Sequence, residues 1–397
     1  MVNSLRIAFF TYSTKPRGSV VHTLEVAEAL QELGHSVCVY ALDKDGTGFY
    51  RSLQCDHVLV PAKEVTGGID QLIKQRIQEF VDYLSQEKPV YDYYHAQDCL
   101  SANALSELRS RHHIPHFVRT VHHIDAFNSP YLQTCQDRSI REPDLCLCVS
   151  DRWQTALQEQ HQIHAPKVTN GVNTTYFSPD YDGSEADVKK LGLSGQPIYL
   201  TVGGIEPRKN SITLLRAFAQ VLTHYPNAQL VIAGGATLFD YQPYRDEFFQ
   251  LAERLGVAIA KSLILPGVIS TAELPALYRI ADAFVFPSLK EGWGLVVLEA
   301  MASGIPVVTS NIAPFTEFLS EREALLVDPE SEEAIAQAMQ TIVQPQIAQS
   351  FKEQGIQVAK RYTWKQSAKL HLTHYQQLST SPVPNPQSHH ARNPLSN

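Results

Sequence analysis

The chain has no long apolar run, no paired-cysteine motif and no basic excess, and each absence removes a class of protein. No stretch reaches the ~20 apolar residues that a bilayer-spanning helix needs. The opening M-V-N-S-L-R-I-A-F-F-T-Y lacks the core length and small-residue cleavage site of a signal peptide. A cytoplasmic protein is therefore expected, with membrane contact at most peripheral. The six cysteines, Cys38, Cys55, Cys99, Cys135, Cys146 and Cys148, form no C-x-x-C and no disulfide-dense spacing. Cys146 and Cys148 alternate in D-L-C-L-C-V-S, so they are expected on one face of a strand as buried thiols. Formal net charge is −8, and neither half is basic, so no nucleic-acid partner is expected. Sixteen histidines include H-x-x-H pairs at His161/His164 and His371/His374 and a cluster from His112 to His123, but no accompanying cysteine or carboxylate set, so no metal site is expected. Neither G-x-G-x-x-G nor G-x-x-x-x-G-K-[ST] occurs, which weakens dinucleotide and P-loop readings.

What is present is the balance of a globular protein, 44% hydrophobic and 19% charged, in a 397-residue chain long enough for two domains. L-R-I-A-F-F-T-Y reads as a strand and Lys15 to Ser19 as a loop. In the next segment Val21, Leu24, Ala27, Leu30 and Leu33 recur at helical spacing, with Gly34 where a helix C-terminus wants a left-handed residue. S-V-C-V-Y-A-L then completes a βαβ unit. Further strands are read in V-Y-D-Y-Y-H, H-F-V-R-T-V-H and D-L-C-L-C-V-S. A second series follows with P-I-Y-L-T-V-G, A-Q-L-V-I-A-G, S-L-I-L-P, A-F-V-F-P and I-P-V-V-T, each followed by a helical pattern. The expected class is α/β, with two Rossmann-like doubly wound domains facing across a cleft, where ligands sit beyond the C-terminal ends of the strands. A last helix from about Thr363 to Leu378 carries Trp364, Ala368, His371, Leu372 and Tyr375 on neighbouring turns. From Ser379 the chain is too polar and proline-rich to bury anything.

The densest chemistry lies in P-S-L-K-E-G-W-G-L-V-V-L-E-A-M-A-S-G-I-P-V-V-T-S, residues 287 to 310. A strand ends at Ser288, Glu291 stands in a loop, and Gly292, Trp293 and Gly294 open a helix running through Glu299. Such a helix start offers unpaired N–H groups and a positive dipole end to an anionic or hydroxyl-rich ligand. The plain alternative is that Glu291 complements that dipole and Glu299 is solvated. The stretch resembles the signature of the retaining GT-B glycosyltransferases of the large glycosyl transferase group 1 family, which includes glycogen synthases, sucrose synthases and mannosyltransferases. L-T-V-G-G-I-E-P-R-K-N-S, N-G-V-N-T-T-Y-F-S-P, A-L-L-V-D-P and R-G-S-V-V-H-T-L-E-V-A-E-A-L resemble further segments of that family.

The resemblance implies a GT-B fold, with residues 1–172 on the acceptor side, 195–361 as the nucleotide-sugar domain, and 362–378 crossing back before a disordered tail at 379–397. It implies that Glu299 holds ribose hydroxyls, that Glu291 lies beside the transferred sugar, and that Lys209, with Arg208 adjacent, neutralises the diphosphate. Gly18 belongs to the family's glycine loop, and the turn Gly292, Trp293, Gly294, Leu295 supplies backbone N–H groups. His122 matches a strand-end histidine that contacts the sugar. One departure is Gly204, where the family commonly has arginine; Arg208 or the Lys15 to Ser19 loop is the expected substitute. His95 and Asp98 end another strand and are candidates for the acceptor, although Asp98 reads equally as a helix N-cap. The implied activity is sugar transfer from a nucleoside-diphosphate donor to an acceptor hydroxyl, with retention and no obligatory metal or cofactor. Rival readings are a nucleotide-sugar epimerase, a phosphorylase-like enzyme, or a two-domain sugar-binding protein.

Overall fold

A computed structural model describes residues 4–235 and 241–380. The first half runs β1 (Arg6–Thr11), α1 (Gly18–Glu32), β2 (Ser36–Asp43), β3 (Asp56–Pro61), α2 (Ile69–Glu87), β4 (Tyr93–Ala96), α3 (Cys99–Ser110), β5 (Val118–Val121), α4 (Pro130–Arg141), β6 (Leu145–Cys148) and α5 (Asp151–His161). The second runs α6 (Glu185–Lys189), β7 (Ile198–Val202), α7 (Ser211–His224), β8 (Gln229–Ala233), α8 (Gln242–Arg254), β9 (Leu263–Gly267), α9 (Leu274–Ile280), β10 (Ala283–Phe286), α10 (Leu295–Ala302), β11 (Val307–Ser310) and β12 (Leu325–Val327). Helices α11 (Glu332–Ile342), α12 (Pro345–Arg361) and α13 (Trp364–Thr380) close the chain.

Two six-stranded parallel sheets result, ordered β3-β2-β1-β4-β5-β6 and β12-β11-β10-β7-β8-β9. Helices cover both faces of each, which is why strands such as β1 and β8 are apolar along their length instead of alternating. In each sheet the winding direction reverses once, between β1 and β4 in the first and between β7 and β10 in the second. Crevices open beyond the strand ends at these reversals.

Local chemistry sets the helix ends that matter. Gly34 takes φ +91° just beyond α1, as its position after the apolar repeat predicts. Asp98 caps α3 in a reciprocal capping box with Ser101. Helix α10 starts differently: Gly294, at φ +107°, precedes it with no side-chain cap, so its first N–H groups stay available.

Helix α13 returns to the first sheet. Its buried Trp364, Ala368 and Tyr375 join Val20, Leu24, Ala27 and Leu30 of α1 in one apolar cluster. The two segments that link the halves run side by side, with the Val172 N–H donating to the Tyr362 carbonyl at 3.0 Å. A Cβ on Gly171 would lie 2.3 Å from the Trp364 nitrogen, so only glycine permits this approach. Helix α13 takes in Ser379 and Thr380; the remainder of the expected tail lies outside the described residues. Among the described residues no helix is long and apolar enough to cross a membrane. Five of the six cysteines, Cys146 and Cys148 included, are buried free thiols.

Candidate active site

Loops from both reversal points meet in a cavity of about 300 Å³. The first half contributes Tyr12, Arg17 and Gly18 after β1, His122, His123 and Asp125 after β5, and Asn170. The second contributes Glu206, Arg208 and Lys209 after β7, and Lys290 to Val296 after β10.

Glu291 is the electrostatic centre. Its Oε1 accepts from Lys209 Nζ at 2.6 Å, Ser288 Oγ at 2.8 Å and Arg208 at 3.0 Å. Burial pushes the carboxyl's pKa up, but Lys209, Arg208 and the hydrogen bonds outweigh it and hold it below the usual range. Glu291 is therefore a fixed anion and a weak base. Lys209 also sits 4.3 Å above the Phe286 ring, and Arg208 divides its charge between Glu291 and Glu206.

The loop carrying Glu291 is docked on the first half at three successive residues. Lys290 Nζ donates to the Ile124 carbonyl at 2.7 Å, and Trp153 Nε1 donates to the Glu291 carbonyl at 3.2 Å. At Gly292 an added Cβ would stand 2.4 Å from the His122 carbonyl oxygen. The histidine's ring is nearly buried, with Nε2 2.9 Å from Gln97 Oε1. Burial first, then the nearby His22, Arg119, His123 and His95, keep its pKa well below the ordinary value, so the ring is neutral.

Glu299 lies on α10, one side of a second cavity of about 480 Å³ that shares Leu295 with the first. Tyr278 donates to its Oε2 at 2.9 Å. Burial raises the Glu299 pKa to about 7; the Tyr278 bond opposes this and Glu25 adds to it. Ser270, Thr271, Asn173, Tyr176 and Arg51 also line this space.

The structure thus brings together Gly18, His122, Arg208, Lys209, Glu291, Gly292, Gly294 and Leu295, with Glu299 next door. Two expectations need correction. The His95 ring is fully buried, with Nδ1 bound to the Tyr375 hydroxyl at 2.6 Å and Nε2 to Thr120 at 2.8 Å, so no acceptor reaches it. Asp98 spends both oxygens on backbone N–H groups, of Ser101 at 2.8 Å and Tyr12 at 2.7 Å, and is the N-cap. The Trp293 side chain is buried and stacks on Phe318 with ring centroids 4.9 Å apart, which leaves the site its backbone, the part for which the turn is singled out. His123 lines the same cavity as His122, because β5 ends at Val121 and strand alternation no longer applies.

At the departure noted above, Gly203 takes φ +146° and the neighbouring Gly234 has no room for a Cβ, which would fall 2.4 Å from the Gly203 carbonyl carbon. Of the loop offered as a substitute, Lys15 is 2.8 Å from Asp45, whereas Arg17 lines the cavity. Trp153 and Tyr241 carry no sequence signal and enter through tertiary contact alone, whereas Asn170 and Lys290 lie inside the family-like segments without being singled out there.

A family model described as glycosyl transferases group 1 matches residues 183–358, and one described as a glycosyl transferase 4-like domain matches residues 17–174. D-inositol 3-phosphate glycosyltransferase from Corynebacterium urealyticum is 26% identical over 97% of this chain and 99% of its own. Sucrose-phosphate synthase from Thermosynechococcus elongatus shares the fold, with TM-score 0.77 over 94% of this chain and 99% of its own at 23% identity. So does HepE of Anabaena, solved with UDP and glucose, with TM-score 0.75 over 95% of this chain and all of its own, 100%, at 19% identity. With both halves matched in sequence and the whole chain matched in fold, the protein belongs to the group 1 glycosyltransferases and has their two-domain GT-B architecture.

Proposed function

We propose that the protein moves a sugar from a nucleoside-diphosphate donor to an acceptor hydroxyl with retention, in the cytoplasm and without an obligatory metal. The observation that carries this is the convergence of Lys209, Arg208 and Ser288 on Glu291 Oε1, directly before the uncapped start of α10 and in one cavity with His122. In this reading the diphosphate lies between Lys209, Arg17 and the N–H groups of Gly294 and Leu295, and the ribose lies at Glu299. The transferred sugar lies between Glu291 and His122. The domain at 195–361 holds the donor, and the one at 1–172, completed by 362–378, holds the acceptor.

During transfer the bond from the anomeric carbon to the phosphate oxygen breaks and the acceptor oxygen bonds on the same face. The acceptor proton passes to the departing diphosphate. An inverting reaction needs a general base on the far face, and Glu291, held as a fixed anion, is poorly suited to that task. Preorganised charge does the work instead, with Lys209 and the helix start meeting the negative charge that develops on the leaving group.

Thermal stabilisation by UDP-glucose, UDP-N-acetylglucosamine, ADP-glucose and GDP-mannose tests donor binding, because a bound donor stabilises in proportion to occupancy. The proposal expects one of them to raise the melting temperature and to release its nucleoside diphosphate on turnover. No stabilisation by any of the four would count against the donor site. An inverted anomeric centre in the product, read by NMR coupling constants, would overturn retention alone.

A further inference from the structure

Behind the cavity a string of buried side chains leads from the end of β4 to the crossing helix. Gln97 is 1% exposed and its Oε1 lies 2.9 Å from His122 Nε2. The His122 ring meets His22 of α1 edge-on, with centroids 4.7 Å apart, and His22 in turn lies 5.5 Å from His371 of α13. His22 Nδ1 is held by Asn170 Oδ1 at 2.8 Å, and His371 Nδ1 by the Ser367 carbonyl at 2.8 Å.

These partners set the protonation of each ring. A carbonyl oxygen only accepts, so His371 carries its proton on Nδ1 and leaves Nε2 bare; His22 does the same against Asn170. Both bare nitrogens are buried without a partner among the described residues, as is Gln97 Nε2. The string therefore holds two acceptors and one amide donor. At His122 the contact runs from Nε2 to Gln97 Oε1, and an amide oxygen only accepts, so the proton of this ring stands on Nε2.

We propose that Gln97 is a positioning residue: by accepting from His122 Nε2 it fixes the ring's tautomer and holds a bare Nδ1 toward the cleft. A bare nitrogen there accepts a hydrogen bond from a ligand hydroxyl. The opposite tautomer presents an N–H and prefers an acceptor instead. The inference rests on the reading of His122 as a sugar contact for its purpose, but the tautomer itself does not depend on any ligand.

The groups facing His122 are His22 from α1, Arg119 from β5, His123 on the following loop and His95 from β4, and all of them oppose a second proton. Histidine-selective ¹⁵N NMR on the ligand-free protein therefore gives a direct test. In the wild type, His122 is expected to show a protonated Nε2 and a bare Nδ1, unchanged from pH 5.5 to pH 8. In Gln97→Met the ring should populate both tautomers. In Gln97→Glu a carboxylate faces the Nε2 proton, so the wild-type tautomer should persist at pH 8 and Nδ1 should take up a proton at higher pH than in the wild type. A wild-type ring protonated on Nδ1 would overturn the proposal, as would identical His122 signals in all three folded proteins. Failure of sugar transfer with these spectra intact would count against the transferase reading of the site and leave the Gln97 assignment standing.

Discussion

Glu291 gathers Lys209, Arg208 and Ser288 onto a single oxygen, and single substitutions there should separate activity from stability. Glu291→Gln keeps the shape and removes the charge; Lys209→Ala leaves Glu291 still paired with Arg208. Each is expected to lower turnover by about 10²- to 10³-fold, the cost of losing one preorganised charged contact. Circular dichroism should show both folded. Gly292→Ala meets the His122 carbonyl at 2.4 Å and should push the two halves apart, reducing turnover at least tenfold with little change in melting temperature. Glu299 gives a pH signature. Its pKa is about 7 in the folded chain against 4.5 for the free side chain, so between those values the unfolded state binds fewer protons than the folded one. Stability from this group is thus present below pH 4.5, falls as pH rises to about 7, and is flat above. Ribose hydroxyls hydrogen-bond best to the ionised form, so nucleotide affinity should rise roughly tenfold from pH 6 to pH 8 by linkage. Calorimetric titration of UDP or GDP into wild type and Glu299→Gln checks this, and an equal slope in both proteins would dismiss Glu299 as the cause. Glu291 and Glu299 stand out in the sequence through the resemblance of residues 287 to 310 to the family signature, since spacing alone does not separate them from a dipole-complementing loop residue and a solvated helix residue. His95 misled because a strand end looks alike whether or not a helix from the far end of the chain covers it.

At the scale of elements, the strands of the second half were readable because burial on both faces makes them continuous apolar runs bounded by turns. Strand β3 and helix α2 were not recognised. The strand lies at the sheet edge and buries only Val60, and the helix buries only Arg76, Ile77, Phe80, Val81 and Leu84 of its 19 residues, so neither carries a full apolar signature. The start of α10 was legible, since two glycines flanking a tryptophan leave no capping side chain. The docking of that loop on the first half was not, because Trp153 and Lys290 reach across 138 and 166 residues of chain. The paired linkers are the element-level counterpart. Gly171→Ala would put a Cβ against the Trp364 backbone at 2.3 Å, so it should part the two linker segments. Small-angle scattering is expected to show a larger radius of gyration than wild type; an unchanged profile would mean the linkers accommodate the methyl group.

At the scale of the molecule, the second half is nearly contiguous in sequence and the first is not. Trp364, Ala368 and Tyr375 are buried against α1, and Tyr93 donates from β4 to the Tyr375 carbonyl at 2.8 Å. Ending the chain at residue 362 would therefore uncover the face of α1, at a cost of about 5 kcal/mol or more from the tryptophan and tyrosine burial alone. Differential scanning calorimetry should show the first half's transition lost or sharply lowered while the second half's persists. This arrangement also orders events during synthesis. The strands of the first sheet leave the ribosome with β6, yet the helix that seals them is more than 200 residues away. At about 5 to 20 residues per second, that half waits roughly 10 to 40 s with an apolar helix face uncovered. The first domain to be translated is the last to be finished, and a chaperone is most needed there while the second domain is still being made.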